Sequence, residues 1–195
     1  VPQPMTFVAT ELEQAREAIE RLPLDDGWFV LKDRFGYGCG AQVHRLHHEM
    51  PDLDHLVSDY LHAYGDVVLQ EYRTEVGDGD LVATFVDDEL LGTMRRLPAD
   101  GEWKTNASLG ANQVRHDLTT EQEAAARAAR RAFAECRIAS VDLLLSGRVL
   151  EINAFPGADG LLVTHGVVLA ERVLDRFVAE IGVPDEHALL QECTP

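Results

Sequence analysis

Between Ala139 and Asn153, two short and mostly apolar runs flank Ser146-Gly147, and each run carries one acid. Ser-Gly fits a two-residue hairpin turn, which fixes the register of both runs. In that register Leu145 faces Arg148, Leu144 faces Val149, Leu143 faces Leu150, and Asp142 faces Glu151. Directly opposed side chains lie about 4.5–5.5 Å apart at Cβ, where like charges repel. Asn153, two residues past Glu151, shares its face. Two carboxylates and an amide oxygen therefore converge with no basic residue beside them in sequence. Hard oxygen donors in that number suit Mg²⁺, which completes its shell with water and phosphate. A solvent-facing hairpin edge explains the pattern equally well. Pro156-Gly157, just past Asn153, ends the strand where a ligand could enter and favours a site.

Around this hairpin the sequence predicts a mixed set of elements. Thr10 is placed to cap a helix from Glu11 to about Arg21, with Glu13 completing a capping box. Trp28–Lys32 reads as a buried strand, residues 52–64 as a short helix ending at Gly65, and Val67–Tyr72 as another strand. Leu81–Val86 and Leu90–Arg96 are strands around a turn at Asp87-Asp88-Glu89. Thr119 or Thr120 caps a helix over roughly 121–136, rich in Ala, Arg and Glu. A last amphipathic helix covers about Val167–Ile181 and closes at Gly182, leaving a polar tail, 185–195, expected to be ordered only in part. Strands and helices are intermixed and hairpins are present, which points to an α+β fold rather than a doubly wound sheet.

Gly36, Gly38 and Gly40 alternate in a loop that follows the strand ending at Lys32. Glycines let backbone N–H groups wrap a phosphate, and a lysine adds a point charge there. A plain turn explains three alternating glycines as well, and neither the Walker nor the Rossmann spacing is present. Of the 17 basic residues only Lys32 and Lys104 are lysines, a bias that singles out both positions for a compact ammonium on phosphate.

The formal net charge of −17 argues against nucleic acid and anionic membranes as partners, and no basic patch offsets it. No apolar run approaches the length of a membrane span and no signal peptide is visible, so a cytoplasmic protein is expected. Cys39, Cys136 and Cys193 lack the paired spacing of a disulfide framework or a zinc site. His44, His47 and His48 have helical spacing but no fixed carboxylate or cysteine partner, which favours a solvated cluster over a metal site.

Taken in order, these segments resemble the ATP-grasp superfamily, most closely its RimK-like branch of glutathione synthetase-like carboxylate–amine ligases. Val1-Pro2-Gln3-Pro4-Met5-Thr6 is similar to the segment that leads into the ATP-grasp domain. Phe29–Lys32 and Phe35–Gly40 resemble the lysine strand and the phosphate-covering loop, and Leu69-Gln70-Glu71-Tyr72 the hinge strand that reads adenine. Asp80 falls at the ribose-side acid, Trp103-Lys104-Thr105-Asn106 beside the phosphates, and Asp142, Glu151 and Asn153 on the metal ligands.

The resemblance implies two α+β lobes, 1–73 and 74–195, with nucleotide between them and a boundary near Arg73–Val76. It implies ATP with Mg²⁺ or Mn²⁺, and a carboxylate converted to an acylphosphate that an amine, often an amino acid, displaces. Lys32 then neutralises the nucleotide phosphates, while Lys104 with Arg95 or Arg96 stabilises the transferring phosphoryl group. The chain departs from the family at Asp33, where proline is usual, and at Val82, where many relatives carry arginine. The N-terminal domain that family members carry ahead of this region is absent from the 195 residues. A nucleotide-binding module, or a subunit completed by a separate chain, are therefore the rival expectations. A homo-oligomer is compatible with each.

Overall fold

The computed structural model describes residues 1–34 and 40–182. Two antiparallel sheets carry the chain. The first, in the order β1-β4-β2-β3, is built from β1 (Thr6–Ala9), β2 (Trp28–Asp33), β3 (Val43–His47) and β4 (Val67–Glu71). The second, in the order β7-β6-β5-β8-β9, uses β5 (Asp80–Val86), β6 (Glu89–Leu97), β7 (Asn112–Arg115), β8 (Ile138–Leu144) and β9 (Val149–Asn153). This is the α+β arrangement expected from the intermixed elements.

Strand alternation separates a helix-covered face from a site face in both sheets. In the first, Phe29 and Leu31 of β2 and Val67 and Leu69 of β4 form a core with α1 (Leu12–Arg21) and α2 (Leu53–Tyr64). Val30, Lys32, Val68 and Gln70 take the other face. In the second, Leu81, Ala83, Phe85, Val141 and Leu143 pack with Ala125, Ala126 and Ala129 of α3 (Thr120–Ala132). Each large side chain buried in this way contributes about 1.5–3 kcal/mol. Asp80, Asp142 and Leu144 are left for the opposite face.

The hairpin of β8 and β9 keeps Asp142 opposite Glu151, but by a different route from the predicted one. Gly147 N donates to Leu144 O and Leu144 N to Arg148 O, so the turn is one residue longer than Ser146-Gly147 alone. Gly147, at φ 81°, supplies the left-handed residue that such a turn requires. Leu143 therefore faces Val149 rather than Leu150. A bulge at Leu150 takes up the extra residue and restores the Asp142–Glu151 pairing.

One helix cap differs from expectation. Thr119 Oγ1 accepts from Gln122 N at 3.2 Å and Gln122 Oε1 from Thr119 N at 2.9 Å, a full capping box. Gln122 Nε2 also donates to Leu145 O at 2.7 Å, tying α3 to the acidic hairpin. For α1 the cap is not Thr10 with Glu13. The helix begins one residue later, and Gln14 Oε1 accepts from both Thr10 N and Thr10 Oγ1. The three histidines are not helical either, since His44 and His47 lie on β3 and His48 follows it. The last two helices are α4 (Asp159–His165), which the sequence did not announce, and α5 (Leu169–Ile181). Among the described residues no helix is long and apolar enough to cross a membrane. The 185–195 tail lies outside them.

Gly79, at φ 102°, immediately precedes β5, and a Cβ there would meet the backbone oxygen of Arg96. Gly79→Ala combines a conformation that L-residues rarely adopt with a backbone clash, and is expected to cost about 3 kcal/mol. Urea unfolding measures it, and a loss below about 1 kcal/mol would show that the strand start relaxes freely.

Candidate active site

The two site faces enclose one cavity of about 760 Å³. Its walls hold Lys32, Gly40, Gln70, Glu71, Asp80, Arg96, Lys104, Thr105, Asn106, Asp142, Glu151 and Asn153. Strands β2 and β4 deliver the first residues, and β5, β6, β8 and β9 deliver the acids and Arg96. The connection after β6 brings Lys104, Thr105 and Asn106 across to the first sheet, where Lys104 Nζ donates to Gly40 O at 3.0 Å.

Two predicted residues are absent from this wall. Arg95 neighbours Arg96 on β6 and therefore projects from the opposite face. Its guanidinium donates to Asp78 O. Tyr72 follows the end of β4, is 7% exposed, and turns its ring toward Arg45 and Trp103. Gly36 and Gly38 lie outside the described residues.

At the cavity floor three charged side chains are locked together. Arg96 Nε donates to Asp80 Oδ1 at 2.8 Å, and Arg96 Nη2 donates to both Asp80 Oδ2 and Asp142 Oδ2, the latter at 2.7 Å. Asp80 and Asp142 are each 2% exposed. Asp80 thus has both oxygens committed to Arg96, a pairing that the sequence could not reveal because 16 residues separate the two. Their direct opposition on β5 and β6 produces it. Burial pushes the Asp142 carboxyl up to about 7 against the pull of Arg96, with Glu151 and Asp80 adding to the rise.

Lys32 reaches Gln70 Oε1 at 3.3 Å. Burial pulls its ammonium below the usual lysine range, and the charges of Glu151 and Asp142 act against that pull. Asn153 Nδ2 donates to Glu151 Oε1 at 3.1 Å.

These residues fit a divalent cation by donor type and by charge. Asp142 and Glu151 oppose each other at the cavity, Asn153 lies beside Glu151, and all their ligating atoms are hard oxygens. Glu151 and Asp80 both help push the Asp142 carboxyl up, so positive charge placed between Asp142 and Glu151 is favoured. Among the described residues no group of three His, Cys, Asp or Glu is placed to hold a metal, so the set depends on the asparagine. The sequence reading passed over the apolar wall, formed by Val30 and Val68 on one side and Leu144 and Leu150 on the other. Alternation with Lys32, Gln70 and Asp142 was the available signal.

A family model described as the RimK-like ATP-grasp domain matches residues 1–177. The tetrahydromethanopterin:alpha-L-glutamate ligase of Methanocaldococcus jannaschii is 30% identical over 185 residues, covering 91% of this chain and 61% of that one. A probable alpha-L-glutamate ligase of Pseudoalteromonas translucida is 29% identical over 123 residues, covering 62% of this chain and 40% of the relative. The chain spans less than two thirds of the length of either relative. The ATP-grasp ligase PsnB, complexed with minimal precursor, superposes with a TM-score of 0.65 at 22% identity, over 93% of this chain and 55% of that one. That likeness is one of fold.

Opposite stability effects are expected at two cations of this cavity. Arg96→Met leaves Asp80 and Asp142 buried without their partner and is expected to cost about 3–5 kcal/mol. Lys32 has a folded pKa below its unfolded value, so the protonated group costs stability at neutral pH, and the cost fades as pH rises toward the unfolded value. Lys32→Met is expected to be neutral or to stabilise by about 1 kcal/mol. Denaturant melts of both variants at pH 7 decide the matter. A large loss in Lys32→Met would make Lys32 structural, and an unchanged Arg96→Met would dismantle the buried triad.

Proposed function

The chain belongs to the RimK-like ATP-grasp domain family, and from that premise we propose that it is the ATP-binding part of a ligase joining a carboxylate to an amine. The observation that carries this reading is the convergence of Lys32, Lys104 and Arg96 with Asp142, Glu151 and Asn153 on one cavity. About 760 Å³ falls within the range of sites that take ligands of nucleotide size.

The base, the phosphates and the cation of MgATP each have a counterpart on the wall, whereas Asp80, expected beside the ribose, is committed to Arg96. Val30 and Val68 against Leu144 and Leu150 offer apolar surfaces to a planar base, with Gln70 and Glu71 beside them. On this reading the boundary between the two lobes falls near Arg73–Val76, just past this strand. Lys32 and Lys104 supply ammonium groups to the phosphates, with Thr105 and Asn106 beside them. Asp142, Glu151 and Asn153 would hold Mg²⁺, which when bound neutralises phosphate oxygens.

The reaction asks for position and charge rather than a side-chain nucleophile. A carboxylate oxygen of the substrate attacks the γ-phosphorus and ADP leaves. The amine then attacks the acyl carbon, inorganic phosphate departs, and a proton is lost from nitrogen. Arg96 suits the stabilisation of the transferring group because Asp80 and Asp142 fix its guanidinium before any substrate arrives. The relatives named alpha-L-glutamate ligases support an amino acid as the amine, with glutamate the first candidate.

Equilibrium binding followed by single-turnover ADP release tests this reading. MgATP is expected to bind, and Lys32→Ala to weaken binding by about tenfold to a hundredfold, the worth of one charged hydrogen bond. Glu151→Gln is expected to blunt the dependence on Mg²⁺. ADP is expected only with a competent carboxylate. Binding that ignores Lys32 would sink the site, while binding without turnover on any carboxylate and glutamate would leave a nucleotide-holding module.

A further inference from the structure

Arg45 stands on β3, at the edge of the first sheet, and is exposed. Its guanidinium is nevertheless set among rings. It lies 4.9 Å from the centroid of Trp28, 5.2 Å from Tyr72 and 5.7 Å from Trp103. Nη1 donates to Tyr72 Oη at 3.0 Å. Tyr72 and Trp103 meet edge to face at 5.8 Å. Cations are attracted to aromatic faces within about 6 Å, so all three rings act on one charge.

The rings come from distant stretches of chain. Trp28 is on β2 and Tyr72 follows β4, whereas Trp103 lies on the connection after β6 of the second sheet. Arg45 therefore joins the first sheet to that connection. The residue after Trp103 is Lys104, whose Nζ donates to Gly40 O. Glu102 stiffens the same stretch, accepting from Trp103 N at 2.8 Å and Lys104 N at 3.1 Å. A Cβ at Gly40 would lie 2.6 Å from Asn106 Oδ1, so Asn106 sits directly on Gly40. An edge-strand arginine that served only solubility would extend into water. This one is spent on three rings.

We infer that Arg45 is a positioning residue: by holding Trp103 it sets where Lys104 enters the cavity. The inference rests on the ligase reading, which gives Lys104 its phosphate. Arg45 does not line the cavity, and it acts only through the segment it pins.

The chain has two tryptophans, both against Arg45, so their emission reads this contact directly. Arg45→Ala is expected to shift the emission and weaken MgATP binding by about fivefold, with Arg45→Lys restoring part of both. Arg45→Ala combined with Lys104→Ala is expected to bind MgATP no more weakly than Lys104→Ala alone, since both losses pass through one ammonium. Additive losses, or binding unchanged in Arg45→Ala, overturn the inference while MgATP binding by the unaltered chain preserves the ligase reading. Failure of the unaltered chain to bind MgATP overturns that reading, and the role of Arg45 with it.

Discussion

One guanidinium holds together two buried acids at the floor of the cavity, and the second sheet is arranged around that fact. Asp80 on β5, Arg96 on β6 and Asp142 on β8 occupy three adjacent strands. Replacing such a group by apolar residues of similar volume is often neutral or favourable, whereas removing one member is severe. The charged floor is therefore tolerated for what it does, and the opposite face supplies the cohesion. There Leu81, Phe85, Val141 and Leu143 meet the alanines of α3. A single strand such as β8 serves both faces because its side chains alternate.

That alternation is also why much of the site was legible in the sequence. Val141-Asp142-Leu143 reads directly as one buried acid between two core residues, and Val30, Lys32 and Gln70 follow the same rule on their strands. Alternation further implies that Arg95 and Arg96 must diverge. Which of them meets the cavity depends on pairing with β5, a long-range fact that no local pattern contains. The commitment of Asp80 to Arg96 was hidden for the same reason.

The elements missed are short or polar. β7, Asn-Gln-Val-Arg, forms an edge of its sheet and buries none of its four residues, so no apolar rhythm marks it. β3 is disguised by histidines at positions 44 and 47, whose spacing imitates a helix turn although Leu46 is its one buried residue. α4 has seven residues and starts soon after Pro156-Gly157, too brief to show a period of its own. α5 was evident from its pattern, yet Leu174, Phe177 and Ile181 remain 62%, 56% and 67% exposed. Its ion pairs, Glu180 to Arg137 and Arg176 to Glu89, fasten the polar side instead.

The hairpin carries a lesson about inheritance. Its left-handed glycine lengthens the turn by one residue, and the irregularity at Leu150 cancels the shift before Glu151. Neither feature is tolerable without the other, since a lone one-residue slip would rotate Glu151 and Asn153 to the wrong side of β9. Descendants of this chain can shorten the loop only by straightening the strand in the same step. Turn and kink therefore pass between generations as one character, and because they cancel, the two acids keep the sequence spacing that a plain two-residue hairpin would give them.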